Sequence, residues 1–477
     1  MTKEIQQETI RGIALRAKAL GGRAMLVGGC VRDALTGRES ADIDCEVYGL
    51  APQALRSLAA EFGEVDESGA RYGIFSLKGA GIDLAMPRLE RRTGPKHGDF
   101  DVRLDPALPF ARAAARRDFT VNAILRDALT GEIVDPFGGQ ADLRRGVLRA
   151  VPGDGFAEDP LRVLRGAQFA ARFRLSPDAK TLEKMRTMKT DALSPARVLG
   201  EMKKAMASDA PDVFFDVLRR ADALRPWFGE LAALIGVPQP PRYHPEGDAY
   251  THSMRVLHAA AQKKARALRP EAFVFAALTH DLGKAVSTAR GEKARALRPE
   301  AFVFAALTHD LGKAVSTARG EDGEWHACGH ENTGVPLTRA MLGRLGVNRE
   351  IIAYCENMCR LHMRAHVCHY RQAETGETNL LFDESVCPND LALLAVCDTM
   401  GKGSASGGAA DEEAFLTGRV RVYEETAARG LPDGSMLLAA GMKPGPELAE
   451  ALAAARRRAL TGETAEEAVQ NVLRKRQ

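Results

Sequence analysis

The chain has 477 residues, of which 45% are hydrophobic and 27% charged, with a formal net charge of +3. This length predicts two to four domains of a soluble globular protein, and any nucleic-acid surface must be a local basic patch. No apolar run approaches the roughly 20 residues of a membrane helix, and the first residues lack a signal-peptide core. The 8 cysteines are too few for a disulfide framework, so a reduced cytoplasmic protein without membrane partners is expected.

The first predicted element is a helix over Thr2–Leu20, which a glycine pair ends. A hydrophobic strand at Ala24–Val27 follows and runs into Gly28 and Gly29. These glycines leave backbone N–H groups free to approach a phosphate, and Arg32 can neutralise its charge. The stretch is therefore a candidate phosphate-binding turn.

Two aspartates separated by one apolar residue, Asp42 and Asp44, lie a short distance further on. Alternate residues of a strand face the same side, so the two carboxylates point together while Ile43 faces the core. Adjacent carboxylates repel each other unless a cation lies between them, and Mg²⁺ suits this role because it takes oxygen ligands. A solvated acidic strand is the alternative, but the upstream GG-x-x-RD pattern favours a metal site.

The combination of GG-x-x-RD and DID resembles the first motif of class II tRNA nucleotidyltransferases, the CCA-adding enzymes of the polymerase-β-like superfamily. The resemblance implies a small mixed sheet on which Asp42 and Asp44 bind Mg²⁺ and assist nucleotidyl transfer. It also implies that Gly29 and Arg32 hold phosphate.

A helix at Ala51–Phe62 and strands at Arg71–Leu77 and Ile82–Met86 continue this domain. Asp83 can supply a third carboxylate across the sheet from the aspartate pair, although a salt-bridged strand acid is an equal alternative. The charged stretch Pro87–Phe100 resembles the flexible loop that these enzymes use during nucleotide selection.

Two adjacent arginines, Arg116 and Arg117, begin the pattern RRDFT-x-NA. Arginines beside a site with two acids and a metal suit triphosphate oxygens, whereas a surface salt-bridge cluster is the alternative. The pattern matches the second motif of the family, and the match implies that Arg117 holds phosphate.

The third motif is EDPLRVLR, in which Asp159, Arg162 and Arg165 are three residues apart and are predicted to share a helix face. An Asp acceptor beside an Arg donor can bond the edge of a nucleobase. Resemblance to the EDxxR motif implies that these residues select incoming CTP or ATP without a nucleic-acid template. An ion pair on a helix surface is the alternative.

A second constellation combines His-Asp within an apolar helix with further histidines and a late aspartate, which can gather around one or two divalent metals. It resembles the HD phosphohydrolases, which implies metal-dependent phosphatase and 2′,3′-cyclic phosphodiesterase activities with Mg²⁺ or a transition metal. His330 is preferred to His326 because it starts a new helix. The candidate ligands are His252, His280, Asp281, His330, His362 and Asp398.

The stretch Lys264–Glu292 recurs without change as Lys293–Glu321. His309-Asp310 is therefore a duplicate alternative to His280-Asp281, and loop closure favours the first copy only slightly. A zinc site from the nearby cysteines and histidines is also conceivable, but their spacing favours buried free thiols. The residues concerned are Cys355, Cys359, His362, His366 and Cys368.

The predicted fold class is α+β: a polymerase-β-like nucleotidyltransferase head with a mixed sheet, a helical neck and body, and an all-α HD domain. The head spans residues 1–150, and the body, at 151–240, selects nucleotides and binds tRNA. The HD domain spans 241–410 and a helical tail 411–477. The oligomeric state and the HD substrate stay open.

The predicted function is template-independent addition and repair of the CCA end of tRNA from CTP and ATP. A poly(A) polymerase of the same superfamily shares the head motifs, but the complete HD pattern opposes it. An enzyme that adds only CC or only A is a nearer alternative. An RNA-binding HD phosphohydrolase with a vestigial head is opposed by the unbroken DID, RRD and EDxxR motifs.

Overall fold

The computed structural model describes residues 2–40, 42–92, 100–266, 299–403 and 408–476. The chain divides into two units, of which the first comprises Met1–Ser194 with Asp216–Ala223. The second comprises Pro195–Phe215 with Leu224–Gln477.

The first unit contains a mixed sheet. Its strands are β1 (Arg23–Val27), β2 (Ile43–Tyr48), β3 (Val65–Asp66), β4 (Ile74–Leu77), β5 (Ile82–Ala85), β8 (Leu125–Asp127) and β9 (Ile133–Val134). The order is β3-β4-β5-β2-β1-β8-β9, and β2 and β5 run parallel. Smaller pairs are β6 (Arg88–Arg92) with β7 (Phe100–Leu104), and β10 (Val147–Leu148) with β11 (Ser176–Pro177).

The first unit also contains seven described helices. They are α1 (Lys3–Ala19), α2 (Gly29–Leu35), α3 (Pro52–Ala60), α4 (Phe110–Ala114), α5 (Gly139–Arg145), α6 (Leu161–Phe173) and α7 (Ala179–Arg186). Helix α1 begins after Thr2, whose side chain accepts from the Ile5 N–H, and the chain turns at Gly21 with φ +83°. The glycine-ended helix predicted from the sequence is thus confirmed.

Strand alternation divides the sheet residues between two cores. Cys45 and Val47 of β2 face a core shared with α1 and α3. Tyr48 lies in the opposite core with Met25 and Val27 of β1. Because alternate residues share a face, the side chains of Asp44 and Glu46 lie on the Tyr48 side of the sheet.

Two boundaries differ from the sequence prediction. The strand predicted at Arg71–Leu77 begins only at Ile74, because Gly73 adopts φ +70° and interrupts the extended backbone. The stretch predicted as a loop from Pro87 begins instead as strand β6, which pairs antiparallel with β7. Residues 93–99 lie outside the described part of the chain.

The second unit is mainly helical. Its helices, including α9 at the boundary, are α8 (Pro195–Met206), α9 (Asp212–Arg220), α10 (Gly229–Ala232), α11 (Ala249–Lys263), α12 (Pro299–Thr308), α13 (Lys313–Ser316), α14 (His330–Arg344), α15 (Arg349–Tyr370), α16 (Thr375–Glu384), α17 (Pro388–Gly401), α18 (Ala409–Ala428), α19 (Gly434–Ala439), α20 (Pro446–Leu460) and α21 (Ala465–Arg474). A short ladder joins β12 (Ala318–Arg319) to β13 (Trp325–His326).

Helix α12 lies at the centre of the second unit. Its residues from Ala301 to Leu307 are all buried, and it packs against α11, α15 and α17. A helix that is apolar on every side is stable only when neighbours cover it all round. The sheet of one unit and the helices of the other confirm the predicted α+β class. No helix in the described ranges is both long and apolar enough to cross a membrane.

Candidate active sites

The turn between β1 and α2 brings an aspartate and an arginine together. Gly28 adopts φ +72°, and a β carbon placed there would lie 2.8 Å from Arg117 Nη1 and 3.5 Å from Asp44 Oδ2. A side chain at Gly28 would therefore be strained and would collide with Arg117. The space at this turn is framed by backbone, a cationic group and a carboxylate, which suits a phosphate that shares a metal ion with the aspartate.

The carboxylates on β2 and β5 form the acidic side of this site. Asp44 is paired in register with Asp83 across the parallel strands, and Asp42 precedes β2 directly. The pKa of Asp44 is raised, mainly because the surrounding protein partly shields its carboxylate from water. The positive charge of Arg117 lowers this pKa, whereas the negative charges of Asp83 and Asp42 raise it. Carboxylates that disfavour each other's ionisation fit a divalent cation, so the residues present suit Mg²⁺.

Glu46, which sequence reasoning missed, joins this group from within the sheet. Its side chain is buried, and its Oε1 accepts from Arg116 Nη2 at 2.6 Å and Arg117 Nη2 at 3.1 Å. Burial alone would raise the pKa of the Glu46 carboxyl, but the two arginines hold it at about 2. The alternation from Asp42 through Asp44 was the sequence signal that could have found it, because Glu46 is the next residue on the same face.

Arg32 lies in a buried network instead of at an open surface. Its Nε and Nη2 donate to Asp33 Oδ1 at 2.9 and 2.7 Å, and its Nη1 donates to Asn122 Oδ1 at 2.7 Å. The guanidinium carbon lies 3.9 Å from the ring centroid of Phe173. Each guanidinium nitrogen therefore already has an acceptor, and the phosphate-binding role stays a prediction.

The second and third motifs meet at Asp118. Asn122 Nδ2 donates to Asp118 Oδ1 at 2.9 Å, and Arg165 Nε donates to Asp118 Oδ2 at 2.7 Å. Burial would raise the pKa of Asp118, but Arg165 and Asn122 outweigh it and lower the pKa. Arg165 is therefore oriented by a buried carboxylate of the neighbouring motif.

Asp159 lies before helix α6, although its spacing from Arg162 and Arg165 predicted a place on the same helix. Its backbone is extended, with φ −125° and ψ 107°. The residue before a proline is driven out of the helical region, and Pro160 follows. Asp159 Oδ1 instead accepts from the Leu161 N–H at 3.0 Å, and Arg162 donates to the carbonyl oxygens of Gly155 and Arg116.

The second candidate site lies in the helical unit. Four of the predicted ligands, His252, His330, His362 and Asp398, meet His309 and Asp310 of the second repeat copy there, and all six side chains are buried. One group consists of His252, His309, Asp310 and Asp398, and another of Asp310, His330 and His362. Within each group, the potential ligand atoms all lie within 4.8 Å of one another. Asp310 belongs to both groups, since its Oδ1 lies 3.2 Å from His330 Nε2 and its Oδ2 lies 3.4 Å from His309 Nε2. His280 and Asp281 lie outside the described residues.

Three of these histidines are held in the same way. The Nδ1 atoms of His309, His330 and His362 lie 2.6 to 2.8 Å from the carbonyl oxygens of residues three positions earlier in the chain. A carbonyl can only accept, so each Nδ1 carries a proton, and in the neutral ring each Nε2 keeps the lone pair that a metal ion would need. His309 Nε2 is buried and has no hydrogen-bond partner among the described atoms. This donor set fits a divalent metal.

Three side chains that sequence reasoning did not assign to this site flank it, namely Glu246, His366 and Glu412. Glu246 Oε1 lies 2.7 Å from His252 Nδ1, while His252 Nε2 lies 2.6 Å from Asp398 Oδ1. His366 Nε2 lies 2.5 Å from Asp398 Oδ2, and its Nδ1 lies 2.7 Å from Glu412. The four-residue spacing from His362 to His366 was the available signal, since it places both on one side of α15.

Of the alternative candidates, His326 and the buried cysteines lie outside the two ligand groups of the described residues. His326 lies at the surface and contacts Asp322, whereas His330 is buried in the second group. Cys355 and Cys359 are buried free thiols, and burial raises the pKa of both. These thiols favour the protonated form, which is a poor zinc ligand.

Comparison with known families first defines the class of protein. The family model described as poly A polymerase head domain matches residues 24–149. The model described as probable RNA and SrmB-binding site of polymerase A matches residues 174–235. Together with the acids on the mixed sheet and the arginines that contact them, these matches define a nucleotidyltransferase with a polymerase-type head.

Relatives then define the family. A multifunctional CCA protein of Nitrosococcus oceani is 38% identical over 347 residues, covering 72% of this chain and 74% of its own. Another, of Xanthomonas campestris pv. campestris, is 34% identical over 446 residues, which cover 90% of this chain and 96% of the relative. The chain belongs to the bacterial CCA-adding tRNA nucleotidyltransferases, the family of these multifunctional CCA proteins. The resemblance stated from the sequence is thereby confirmed.

Solved structures agree in fold. An apo form of a CCA-adding enzyme has a TM-score of 0.64 at 18% identity, covering 100% of this chain and 96% of its own. A CCA-adding enzyme with CTP has a TM-score of 0.62 at 17% identity, and the match covers 99% of this chain and 97% of that enzyme. At such identities the likeness concerns the fold, which extends over both units.

Proposed function

We propose that the chain adds and repairs the 3′-terminal CCA of tRNA, using CTP and ATP and releasing diphosphate. The observation that carries this proposal is the convergence of Asp44 and Arg117 on the Gly28 turn. Structures of similar fold were solved with ATP, with CTP and with tRNA. The same three partners are proposed here.

The proposed roles follow from the chemistry of each group. Asp42 and Asp44 would hold Mg²⁺, which when bound supplies positive charge for the attacking 3′-oxygen and the leaving diphosphate. Arg117 and the backbone at Gly29 would bind triphosphate oxygens. Basic residues of the body would hold the tRNA phosphates. These roles place catalysis in the head, at residues 1–150, and tRNA binding mainly in the body, at 151–240.

Incubation of the purified protein with a tRNA that ends before CCA tests this function. CTP alone should extend the tRNA by two residues, ATP alone should give no regular product, and both together should give CCA. Extension by ATP alone into a long tail would favour the poly(A) polymerase alternative. A product that stops after CC with both nucleotides would favour the partial enzyme.

Asp159→Ala should relax discrimination against UTP and GTP by about 10- to 100-fold, because a base-edge acceptor worth roughly 1–3 kcal/mol is lost. The KM for CTP should change much less, since no phosphate contact is removed. Competition assays with mixed nucleotides measure both quantities. Asp159→Asn is the matched variant because it can still accept from the Leu161 N–H. Unchanged selectivity in both variants would contradict the role of Asp159.

A second function is favoured by the buried histidine-aspartate cluster. We propose that it is a metal-dependent phosphohydrolase site of the HD type, acting on phosphate monoesters or 2′,3′-cyclic phosphates. Its ligands would be His252, His309, Asp310, His330, His362 and Asp398, which can hold one or two divalent ions. Bound ions would polarise the phosphate and provide a nucleophile from water.

Asp398→Ala should lower metal-dependent phosphatase activity by at least about 100-fold, since a carboxylate central to the first ligand group is removed. CCA addition should stay within about twofold, because the two sites use different side chains. Hydrolysis of p-nitrophenyl phosphate with Mg²⁺, Mn²⁺ or Ni²⁺ and tRNA extension measure the two activities on one preparation. Loss of both activities in a folded protein would show that the sites are not independent.

A further inference from the structure

Glu46 is a buried acid next to the proposed triphosphate site. It follows Asp44 by two residues on β2, and its side chain is 2% exposed. Burial of a carboxylate is costly unless charged partners and hydrogen bonds compensate for the lost water. The partners of the Glu46 carboxylate must therefore compensate for its burial.

Both oxygens of Glu46 are engaged. Oε1 receives Arg116 Nη2 at 2.6 Å and Arg117 Nη2 at 3.1 Å, and Oε2 accepts from the Tyr48 hydroxyl at 2.9 Å. The Tyr48 ring is fixed in turn by edge contact with Phe110, with centroids 4.7 Å apart. The carboxylate is thus held in one orientation and directs two guanidinium groups.

Arg117 connects this carboxylate to the Gly28 turn. One terminal nitrogen, Nη2, bonds Glu46, while the other, Nη1, lies 2.8 Å from the β-carbon position of Gly28. A guanidinium group is planar, so fixing one nitrogen restricts where the other can point. The side-chain partners of Glu46 are Tyr48, Arg116 and Arg117, so its influence on the turn would pass through Arg117.

We propose that Glu46 is a positioning residue for nucleotidyl transfer, which orients Arg117 towards the triphosphate of the incoming nucleotide. The inference rests on the proposed function of the head. This positioning role differs from a purely structural one because loss of Glu46 would weaken the binding of both CTP and ATP. It leaves base selection, which the EDxxR motif assigns to Asp159, Arg162 and Arg165, unaffected.

Glu46→Gln is the main test, measured as kcat and KM for CTP and for ATP on tRNA substrates. The variant keeps the shape and one acceptor oxygen but loses the charge that attracts both arginines. We expect kcat/KM to fall about 10- to 100-fold for both nucleotides, mainly through KM, with unchanged discrimination against UTP and GTP. Glu61→Gln is the control, because it removes an exposed ion pair with Arg16 in the same unit and should change neither constant.

A double-mutant cycle with Arg117→Lys tests the route of the effect. If Glu46 acts through Arg117, adding Glu46→Gln to Arg117→Lys should lower kcat/KM by less than about twofold further. Full multiplication of the two single effects, or an unchanged KM in Glu46→Gln, would overturn the proposal. If Glu46→Gln does not fold, Glu46→Asp serves in the same cycle, because it keeps the charge but withdraws it from the arginines. Wild-type extension of tRNA is measured first, so failure of the proposed function is recognised separately.

Discussion

Asp44→Asn is expected to lower nucleotide incorporation by at least about 10³-fold, which corresponds to roughly 4 kcal/mol of transition-state stabilisation. The substitution removes a negative charge that would hold Mg²⁺ beside the Gly28 turn, while the amide keeps the shape of the side chain. Asp42→Asn should have a similar effect. Extension of tRNA by radiolabelled CTP measures the loss.

Binding of tRNA separates loss of chemistry from loss of fold. Affinity for tRNA should change less than about threefold in Asp44→Asn, because binding rests on phosphate contacts elsewhere. Asp66→Asn, on strand β3 at the edge of the same sheet, is the matched control and should incorporate nucleotide normally. Wild-type incorporation by Asp44→Asn would remove the proposed role of the aspartate pair.

Asp310→Ala is expected to abolish phosphatase activity, whereas Asp281→Ala should retain it. The carboxylate of Asp310 is buried between two groups of potential ligands, so its removal leaves both groups incomplete. Each variant should still extend tRNA, which controls for folding of the head. Initial rates at saturating metal, with Asp281→Ala/Asp310→Ala as the inactive reference, measure the effect.

Because the two repeat copies are identical in sequence, the other possible results of this experiment would show which copy forms the site. Loss only in Asp281→Ala would show that the first copy supplies the site in solution. Retention in both single variants would show that the copies substitute for each other. Such exchange is energetically feasible, because doubling the length of a loop costs only about 0.6 kcal/mol.

The head could be predicted well because its chemistry depends on short, local patterns. The glycine turn follows strand β1 as predicted, and Asp44 lies on strand β2 with Asp42 directly before it. The position of Asp159 was wrong for a local reason, since Pro160 favours an extended residue before it. That error shows that a three-residue spacing alone does not place residues on one helix face.

Buried partners of the site were harder to predict. Glu46 lies two residues after Asp44 on the same strand, but a sequence does not show which strand acids are buried against arginines from a distant segment. Glu246 contacts His252 from the turn before α11, and His366 of α15 contacts Asp398 of α17; neither contact could be read from residue spacing. The choice between the two repeat copies cannot be made from sequence, because their residues are identical and the difference in closure entropy is small.

The measurement that tests the central claim most directly is sequencing of the 3′ ends that the purified protein makes on a tRNA lacking CCA, with all four nucleoside triphosphates present. The account predicts termination after three added residues, cytidine, cytidine and adenosine, with no further growth on long incubation. A homopolymeric adenosine tail, a product ending at CC, or no extension by a folded protein that binds tRNA would contradict it.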